Sequence, residues 1–286
     1  MSSLTSVSLA GIRVVSLAVN LPGPIAAARL SAMGAQVTKI EPSSGDPLAA
    51  VARAWYDELV VDQEVVPVNL RQSEQLSYLE GRLADADVLL TAMRPSALSR
   101  LGLDRISETC PTIIHVEIVG HGGDLEEMPG HDLTYQAGHG TLCAPGMPLV
   151  PVADLLGAER AVSAAVAGLF NRVSTGTGSH QRIVLDDAAE LAGAAVRHGL
   201  MGPGTPLGGA LPTYRIYATS DAHVALAALE PHFAARVAAH LGRTIEELEA
   251  CFATQPATHW EMLGRELDIP LVAVRTPTHG GMNEHS

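Results

Sequence analysis

Three acid–base side chains stand beside predicted helix starts in this 286-residue chain. His131 follows a glycine-rich loop and begins a helix, and Asp154 begins a longer one. Glu230 lies at the end of a strand, directly before Pro231 and a further helix. Because the first turn of a helix has unpaired N–H groups and a positive dipole end, it can hold a carboxylate or an enolate oxygen. The three residues are therefore candidates for acid–base chemistry.

Each of the three also has a purely structural interpretation. Asp154 could be an N-cap, His131 could be a packed side chain without a chemical role, and Glu230 could be a solvated acid at a helix start. Taken singly, the three residues leave both interpretations open.

The sequence lacks the motifs of several other familiar binding and catalytic sites. The loop after the first predicted strand has a single glycine, Gly23, between two prolines, so it has neither a dinucleotide fingerprint nor a phosphate loop. A Gly-x-Ser-x-Gly elbow is also missing from the sequence, which argues against a serine hydrolase. His121, His131 and His139 lack the spacing of metal ligands, and no metal is expected.

The composition indicates a globular, acidic protein. Hydrophobic residues make up 47% of the chain and aromatic residues 3%, so Ala, Val and Leu must fill the core. The 31 acidic and 18 basic residues give a net charge of -13, which argues against a protein that binds nucleic-acid phosphates. Apolar runs stay below the ~18 residues of a membrane span. Three widely spaced cysteines form no disulfide framework and favour the reducing cytoplasm.

Strands and helices alternate through the first two thirds of the chain. Strands are predicted over 12–17, 36–41, 65–70, 87–93, 112–119 and 181–185, and helices over 25–33, 73–84 and 154–173. Such alternation is typical of βαβ units and of a mostly parallel sheet covered on both faces.

A Gly/Pro-rich segment, 201–212, marks the best internal boundary. Beyond it the sequence predicts a hairpin of 214–219 and 223–229, a capping box at Thr244 and Glu247, and a last strand at 271–274. We therefore predict an α/β fold: a Rossmann-like large domain over 1–200 and a smaller α+β domain over 201–286. The C-terminus of the second could return to the first.

Taken in order, the motifs resemble the type III CoA-transferase superfamily (CaiB/BaiF type), which also contains the α-methylacyl-CoA racemases. The matching segments, besides those of the three acid–base residues, are Leu9-Ala10-Gly11-Ile12-Arg13-Val14, Leu21-Pro22-Gly23-Pro24, Gly34-Ala35-Gln36-Val37-Thr38-Lys39-Ile40-Glu41-Pro42, Gly45-Asp46-Pro47, Ala86-Asp87-Val88-Leu89-Leu90, Arg94-Pro95-Ser96-Ala97-Leu98-Ser99-Arg100-Leu101-Gly102-Leu103 and Gly208-Gly209. Singly each is weak, but together they cover most of the chain.

The resemblance implies two chemistries for one aspartate. In a CoA-transferase, Asp154 would attack the acyl-CoA thioester, form a mixed anhydride and then carry CoA as an aspartyl thioester. In a racemase, Asp154 would be one acid/base and His131, supported by Glu230, the other. Moving the α-proton of a thioester needs a base on each face of the carbon and a donor for the enolate oxygen. The Gly-His-Asp motif favours racemisation of a 2-methylacyl-CoA, with CoA transfer or a non-catalytic acyl-CoA-binding partner subunit as alternatives.

The resemblance also predicts how coenzyme A, as part of the substrate and with no further cofactor, would be bound. The residues expected to contact it are Asn20, Leu21, Arg71, Met93, Arg94, Arg100 and Asp132. The arginines would meet its phosphates. Members usually show basic residues ahead of the strand at Val65, whereas this chain has Val60-Val61-Asp62-Gln63-Glu64.

The assembly implied by the resemblance is an interlocked homodimer with the active site between large and small domains. The chain is shorter than usual members, which leaves a heteromer with a longer homologue as an alternative. Neither nucleic acid nor a membrane is an expected partner.

Overall fold

A six-stranded parallel sheet organises the chain up to Gly193, where the first of two structural units ends. The structure, a computed structural model, describes residues 8–275. The strands of this sheet are β1 (Arg13–Ser16), β2 (Gln36–Glu41), β3 (Glu64–Pro67), β4 (Val88–Thr91), β5 (Ile114–Val119) and β6 (Ser179–Val184). They lie in the order β3-β2-β1-β4-β5-β6, and every neighbouring pair is parallel. The predicted α/β fold is confirmed.

Helices connect these strands and cover both faces of the sheet. They are α1 (Pro22–Ala32), α2 (Pro47–Val51), α3 (Arg53–Leu59), α4 (Ser73–Ala84), α5 (Pro95–Arg100), α6 (Ile106–Thr109), α7 (Asp132–Gly138), α8 (Val152–Thr175) and α9 (Leu185–Ala192). The strand order reverses between β1 and β4. In a sheet of this kind a crevice opens at that point, beyond the carboxyl ends of the strands.

Small and branched side chains fill the core on each face. Val14, Val88 and Val116 belong to a buried cluster with residues of α1 and α8. Their sequence neighbours Val15 and Leu89 point to the other face, where they pack with residues of α4 and α5. The alternation follows from the two-residue repeat of a strand, and it confirms a core built from Ala, Val and Leu.

Two helices begin earlier than the sequence pattern predicts. Helix α1 begins at Pro22, because proline at a first helical position has no N–H to leave unpaired and already has the helical φ angle. Helix α8 begins at Val152, so Asp154 is its third residue rather than its first. In contrast, α4 has the predicted bounds.

A buried ion network lies at the end of β2. The Lys39 ammonium, fully buried, is 2.6 Å from Glu41 Oε1 and 2.7 Å from Asp46 Oδ2. The Tyr56 hydroxyl donates to Glu41 at 2.8 Å, and Asp46 Oδ1 accepts from the Asn20 N–H at 3.0 Å. Asn20 has a φ of 69°, so this bond holds a left-handed turn after β1. The network therefore fixes one wall of the crevice.

The second unit begins at Ala194 and contains its own antiparallel sheet. Its elements are α10 (Ala194–Arg197), β7 (Tyr214–Ala218), β8 (His223–Ala227), α11 (Pro231–His240), α12 (Ile245–Phe252), α13 (Ala257–Glu266) and β9 (Leu271–Ala273). The predicted hairpin is the β7–β8 pair, and β9 pairs with β8. At the predicted capping box, Thr244 Oγ1 accepts from the Glu247 N–H at 3.2 Å.

Aromatic rings, scarce in this chain, gather in the core of the second unit. The Phe252 ring lies 5.1 Å from Tyr217 and 5.2 Å from Trp260, measured between centroids.

The boundary predicted near residue 201 falls in the Gly/Pro-rich segment that follows α10. The predicted return of the C-terminus to the first domain concerns residues from 276 onward, which lie outside the described residues. Within residues 8–275, no helix is both long enough and apolar enough to traverse a bilayer.

Candidate active site

A cavity of about 300 Å³ opens at the carboxyl ends of β1, β4 and β5, where the strand order reverses. Its wall consists of Val19, Asn20, Pro22, Ala92, Met93, Arg94, Ile118, Val119, Gly120, Glu126, Met128, Pro129, Gly130, His131, Tyr135, Asp154 and Leu185. Five residues predicted from the sequence thus line one space: Asn20, Met93, Arg94, His131 and Asp154.

Asp154 lies half-buried in the first turn of α8. Burial raises its pKa to about 7, and the negative charge of Asp132 adds to the rise. A carboxyl group with a pKa near neutrality is present in both protonation states at neutral pH. It can therefore accept a proton in one step and release one in another.

His131 occupies the N-cap position of α7, on the rim of the same cavity. The main-chain N–H of His131 donates to Thr134 Oγ1 at 3.0 Å, and the Thr134 hydroxyl donates to the main-chain carbonyl of His131 at 2.7 Å. These reciprocal bonds fix the main chain of His131 at the start of the helix. The cavity therefore has an imidazole and a carboxyl group in its wall, each on a defined helix start.

Asp132 does not line the cavity but lies behind it. Its Oδ1 accepts from the N–H groups of Ala153 at 2.7 Å and Asp154 at 3.2 Å, and its Oδ2 accepts from Gln136 Nε2 at 2.6 Å. These contacts give Asp132 a role in joining α7 to α8. Its predicted contact with coenzyme A stays a prediction.

Tyr135 is a polar residue of the cavity that sequence reasoning missed. Its ring is buried against Gly120 and Gly130, where a Cβ atom would come within 2.4 Å of the tyrosine side chain. Only glycine leaves room for the ring at those two positions. Burial, reinforced by the charges of Asp154, Asp186 and Asp132, raises the pKa of Tyr135 to about 12. The phenol therefore keeps its proton and can donate a hydrogen bond.

A second cavity, of about 480 Å³, adjoins the first and shares Val19, Ala92 and Met93 with it. Arg71 lines this second space, as do Glu41 and Asn69. Arg71 and Arg94 are exposed, and neither forms an ion pair with any residue in the described part of the chain. Two cationic side chains are thus available to an anionic ligand that spans both cavities.

The remaining predicted residues lie elsewhere. Leu21 is the residue before α1 and packs against the core, and Arg100 is exposed at the end of α5, lining neither cavity. Glu230 belongs to the second unit, where it is the exposed N-cap residue of α11. Its predicted role as the support of His131 stays a prediction. Among residues 8–275, the structure places no three metal-ligating side chains together.

Comparison with known proteins identifies the family. The model of CoA-transferase family III matches residues 9–268. The chain belongs to this family. The resemblance stated from the sequence is therefore confirmed. The match covers both structural units, including the segments of His131, Asp154 and Glu230.

Relatives within CoA-transferase family III catalyse different reactions. The cinnamoyl-CoA:phenyllactate CoA-transferase of Clostridium sporogenes is 28% identical over 93% of this chain. The α-methylacyl-CoA racemase of Mus musculus is 28% identical over 84%, and the succinate–glutarate CoA-transferase of Agrobacterium fabrum is 30% identical over 77%. The chain covers 78%, 66% and 62% of the lengths of these three relatives, respectively.

Solved structures share the fold of this chain. A hypothetical protein of Mycobacterium tuberculosis superposes on 94% of this chain with a TM-score of 0.78 and 22% identity, and this chain covers 85% of it. A CaiB/BaiF family protein of Brucella suis gives the same TM-score at 21% identity, over 94% of this chain and 84% of its own. The architecture is therefore that of CoA-transferase family III.

Proposed function

We propose that this chain racemises or epimerises a 2-methylacyl-CoA by a two-base transfer, in which one of His131 and Asp154 removes the α-proton and the other donates a proton to the opposite face of the α-carbon. The observation that carries the proposal is that an imidazole and a carboxyl group with a pKa near 7 line one cavity. Membership of CoA-transferase family III supports an acyl-CoA substrate, and one relative bears the name of this reaction.

The reaction needs two groups, one without its proton to act as base and one with its proton to act as acid. In one direction, neutral His131 takes the α-proton, and the electrons of the broken C–H bond form the enolate of the thioester. Protonated Asp154 then donates its proton to the other face of the same carbon, which restores the carbonyl with inverted configuration. The opposite direction uses ionised Asp154 as base and the imidazolium as acid. Exchange with water returns both groups to their starting states.

The enolate oxygen needs a hydrogen-bond donor while the proton is in transit. The N–H groups of Ala153 and Asp154 at the start of α8 already donate to Asp132, so they are not free for this role. The Tyr135 hydroxyl lies in the cavity wall and keeps its proton because its pKa is raised to about 12. We therefore assign Tyr135 to the enolate oxygen.

Replacing Tyr135 by phenylalanine should lower kcat/KM for α-proton exchange roughly 10- to 150-fold. This is the effect of losing one hydrogen bond to a negatively charged oxygen, about 1.5–3 kcal/mol in the transition state. Deuterium incorporation into a 2-methylacyl-CoA, measured by mass spectrometry, gives the rate. The control is Tyr78→Phe on the exposed face of α4, which should exchange at the wild-type rate. Equal rates for Tyr135→Phe and wild type would remove Tyr135 from the mechanism.

Binding of coenzyme A against a net charge of -13 requires local positive charge. Arg71 and Arg94, both without an ion pair in the described part of the chain, line adjoining cavities and would meet the phosphates. An arginine guanidinium can bind phosphate through two parallel hydrogen bonds. Asn20 and Met93 would line the space between the phosphates and the reacting carbon.

CoA transfer through Asp154 is the second candidate. Two relatives named above are CoA-transferases, and Asp154 is a half-buried carboxyl group that lines the cavity. The ionised carboxylate would attack the thioester carbon, release CoA and form a mixed anhydride. The CoA thiolate would then attack the aspartyl carbonyl of the anhydride, which releases the donor acid as its carboxylate and gives an aspartyl thioester. The acceptor carboxylate would attack this thioester, release CoA and form a second mixed anhydride. Attack of CoA on the acceptor's acyl carbon would give the new acyl-CoA and free the Asp154 carboxylate. This route uses Asp154 as a nucleophile and does not require His131 as a base.

Incubation with (R)- or (S)-2-methylacyl-CoA in deuterated water tests the proposal. We expect deuterium to enter the α-position, followed by loss of optical purity, and Asp154→Asn to abolish both. Mass spectrometry of the hydrolysed acid measures the first, and chiral chromatography the second.

The alternatives give different results in the same experiment. An absence of exchange together with a hydroxylamine-sensitive acyl group on Asp154 would replace racemisation by CoA transfer. Retained binding of acyl-CoA without exchange or transfer would instead assign the chain as a non-catalytic partner subunit. The acidic stretch 60–64, which stands where family members usually carry basic residues, is consistent with that alternative.

A further inference from the structure

Helix α8 is capped by a side chain from another helix. Its own N-cap residue, Pro151, supplies no side-chain bond to the first turn. The Asp132 carboxylate instead accepts the N–H groups of Ala153 and Asp154, at 2.7 and 3.2 Å. The N–H groups of a first helical turn need such acceptors, because they have none within the helix.

The same carboxylate also fixes the chain ahead of α8. Its second oxygen accepts from Gln136 Nε2 at 2.6 Å, and that nitrogen also donates to the Val150 carbonyl at 2.9 Å. Gln136 is buried. Asp132 thus joins the start of α7, the segment before α8, and the main chain of Asp154.

This arrangement changes the electrostatics at Asp154. A carboxylate within the first turn of a helix is normally stabilised by the positive end of the dipole and by the free N–H groups. Here those N–H groups point at Asp132, and Asp154 has a second negative charge close to it. Both effects favour the protonated form of Asp154.

We propose that Asp132 is a positioning residue for the proton transfer, which holds the Asp154 main chain in place and takes the α8 N–H groups that would otherwise stabilise the Asp154 carboxylate. This inference rests on the proposed role of Asp154. It differs from the contact with coenzyme A that the family resemblance implies for Asp132.

Other ionisable groups surround the site. They are Arg94 and Glu126 in the cavity wall, His131 and Tyr135 of the α7 segment, the Arg29–Glu159 pair between α1 and α8, and Asp186 of α9 with its neighbours His121 and His139. The ionisable residues of β5 and β6, namely His115, Glu117, His180 and Arg182, lie on the sheet face opposite α8. Asp132 is distinguished by its direct bond to the Asp154 main chain.

The Asp132→Asn variant separates charge from position, because asparagine keeps an oxygen that can accept the two N–H groups. The midpoint of the Asp154 titration can be measured directly by carbon NMR of protein labelled at the aspartate carboxyl carbons. The Asp154 signal is assigned by its absence in Asp154→Asn. We expect the midpoint to fall below the wild-type value of about 7 and yet to stay above the ordinary range of an aspartate, because burial, the larger cause of the raised pKa, is unchanged. A purely structural role would leave it unchanged, and an unchanged midpoint overturns the inference.

Activity gives a second readout of the same shift. In the direction where Asp154 is the base, kcat/KM rises with pH as Asp154 loses its proton. A lower midpoint therefore moves this acidic limb of the profile to lower pH in Asp132→Asn. The matched control is Asp124→Asn, which removes an exposed carboxylate that does not line the cavity and should move neither the limb nor the NMR midpoint.

Two further results, a variant that does not fold and a wild type without exchange, are distinguished as follows. If Asp132→Asn does not fold, as judged by circular dichroism, Asp132→Ser offers a smaller uncharged acceptor, and the same lowered midpoint is expected. If the wild type exchanges no α-proton at any pH, the proposed function fails. The NMR midpoints still decide the role of Asp132, because they need no substrate.

Discussion

The His131→Gln variant should exchange the α-proton of a 2-methylacyl-CoA between about 100 and 10 000 times more slowly than the wild type, the usual contribution of a general base. Glutamine keeps a polar side chain of similar reach but cannot accept a proton near neutral pH. The main-chain bonds between residue 131 and Thr134 do not depend on the imidazole, so α7 should form as before. Deuterium incorporation at the α-carbon measures the loss.

His139→Gln is the matched control for that experiment. His139 is the C-cap residue of α7, and its Nε2 lies 3.1 Å from Asp186 Oδ1, but it does not line the cavity. We expect its exchange rate to match the wild type. Normal exchange in His131→Gln would eliminate the two-base mechanism. Normal acyl transfer in that variant, with no exchange in either protein, would point to CoA transfer through Asp154 alone.

The Lys39→Met variant should destabilise the first unit by about 3–5 kcal/mol, which is a large part of the stability of an ordinary domain. Removing the ammonium leaves the carboxylates of Glu41 and Asp46 buried without their cation. Urea denaturation, followed by Trp55 fluorescence in a Trp260→Phe background, reports on this unit. Trp55 belongs to α3, next to Tyr56 of the network.

An exposed ion pair supplies the comparison for Lys39. Arg105→Met breaks the pair with Glu108 on the surface, where solvent screens both charges, and should cost far less stability than Lys39→Met. Adding Glu41→Gln and Asp46→Asn to Lys39→Met should recover part of the lost stability, since no uncompensated charge then remains. A Lys39→Met effect as small as that of Arg105→Met would mean that the network contributes little.

Much of the fold could be predicted from the sequence because its signals are local. The bounds of α4, the β7–β8 hairpin and the capping box at Thr244 each follow from spacing within one short segment. The sequence pattern predicts the start of α1 too late, because its two prolines indicate a loop although proline is also favoured in the first turn of a helix.

The site could be predicted only in part because its contacts connect distant segments. His131 and Asp154 carry acid–base groups in a recognisable order, so they could be found from motifs. Tyr135 could not, because its importance depends on Gly120 and Gly130 giving its ring space. The bond from Asp132 to α8 joins residues 21 positions apart, which spacing alone does not indicate.

The seven-residue helix α7 carries three different functions of the proposed centre within five positions. His131 precedes it, Asp132 begins it, and Tyr135 follows one turn later. If α7 detached from α8, base, helix cap and enolate donor would leave the cavity together, although the sheet beneath could remain intact. If this local opening costs less free energy than global unfolding, it would set the population of molecules with a complete site. Amide hydrogen exchange in α7 would follow catalytic competence more closely than a melting temperature.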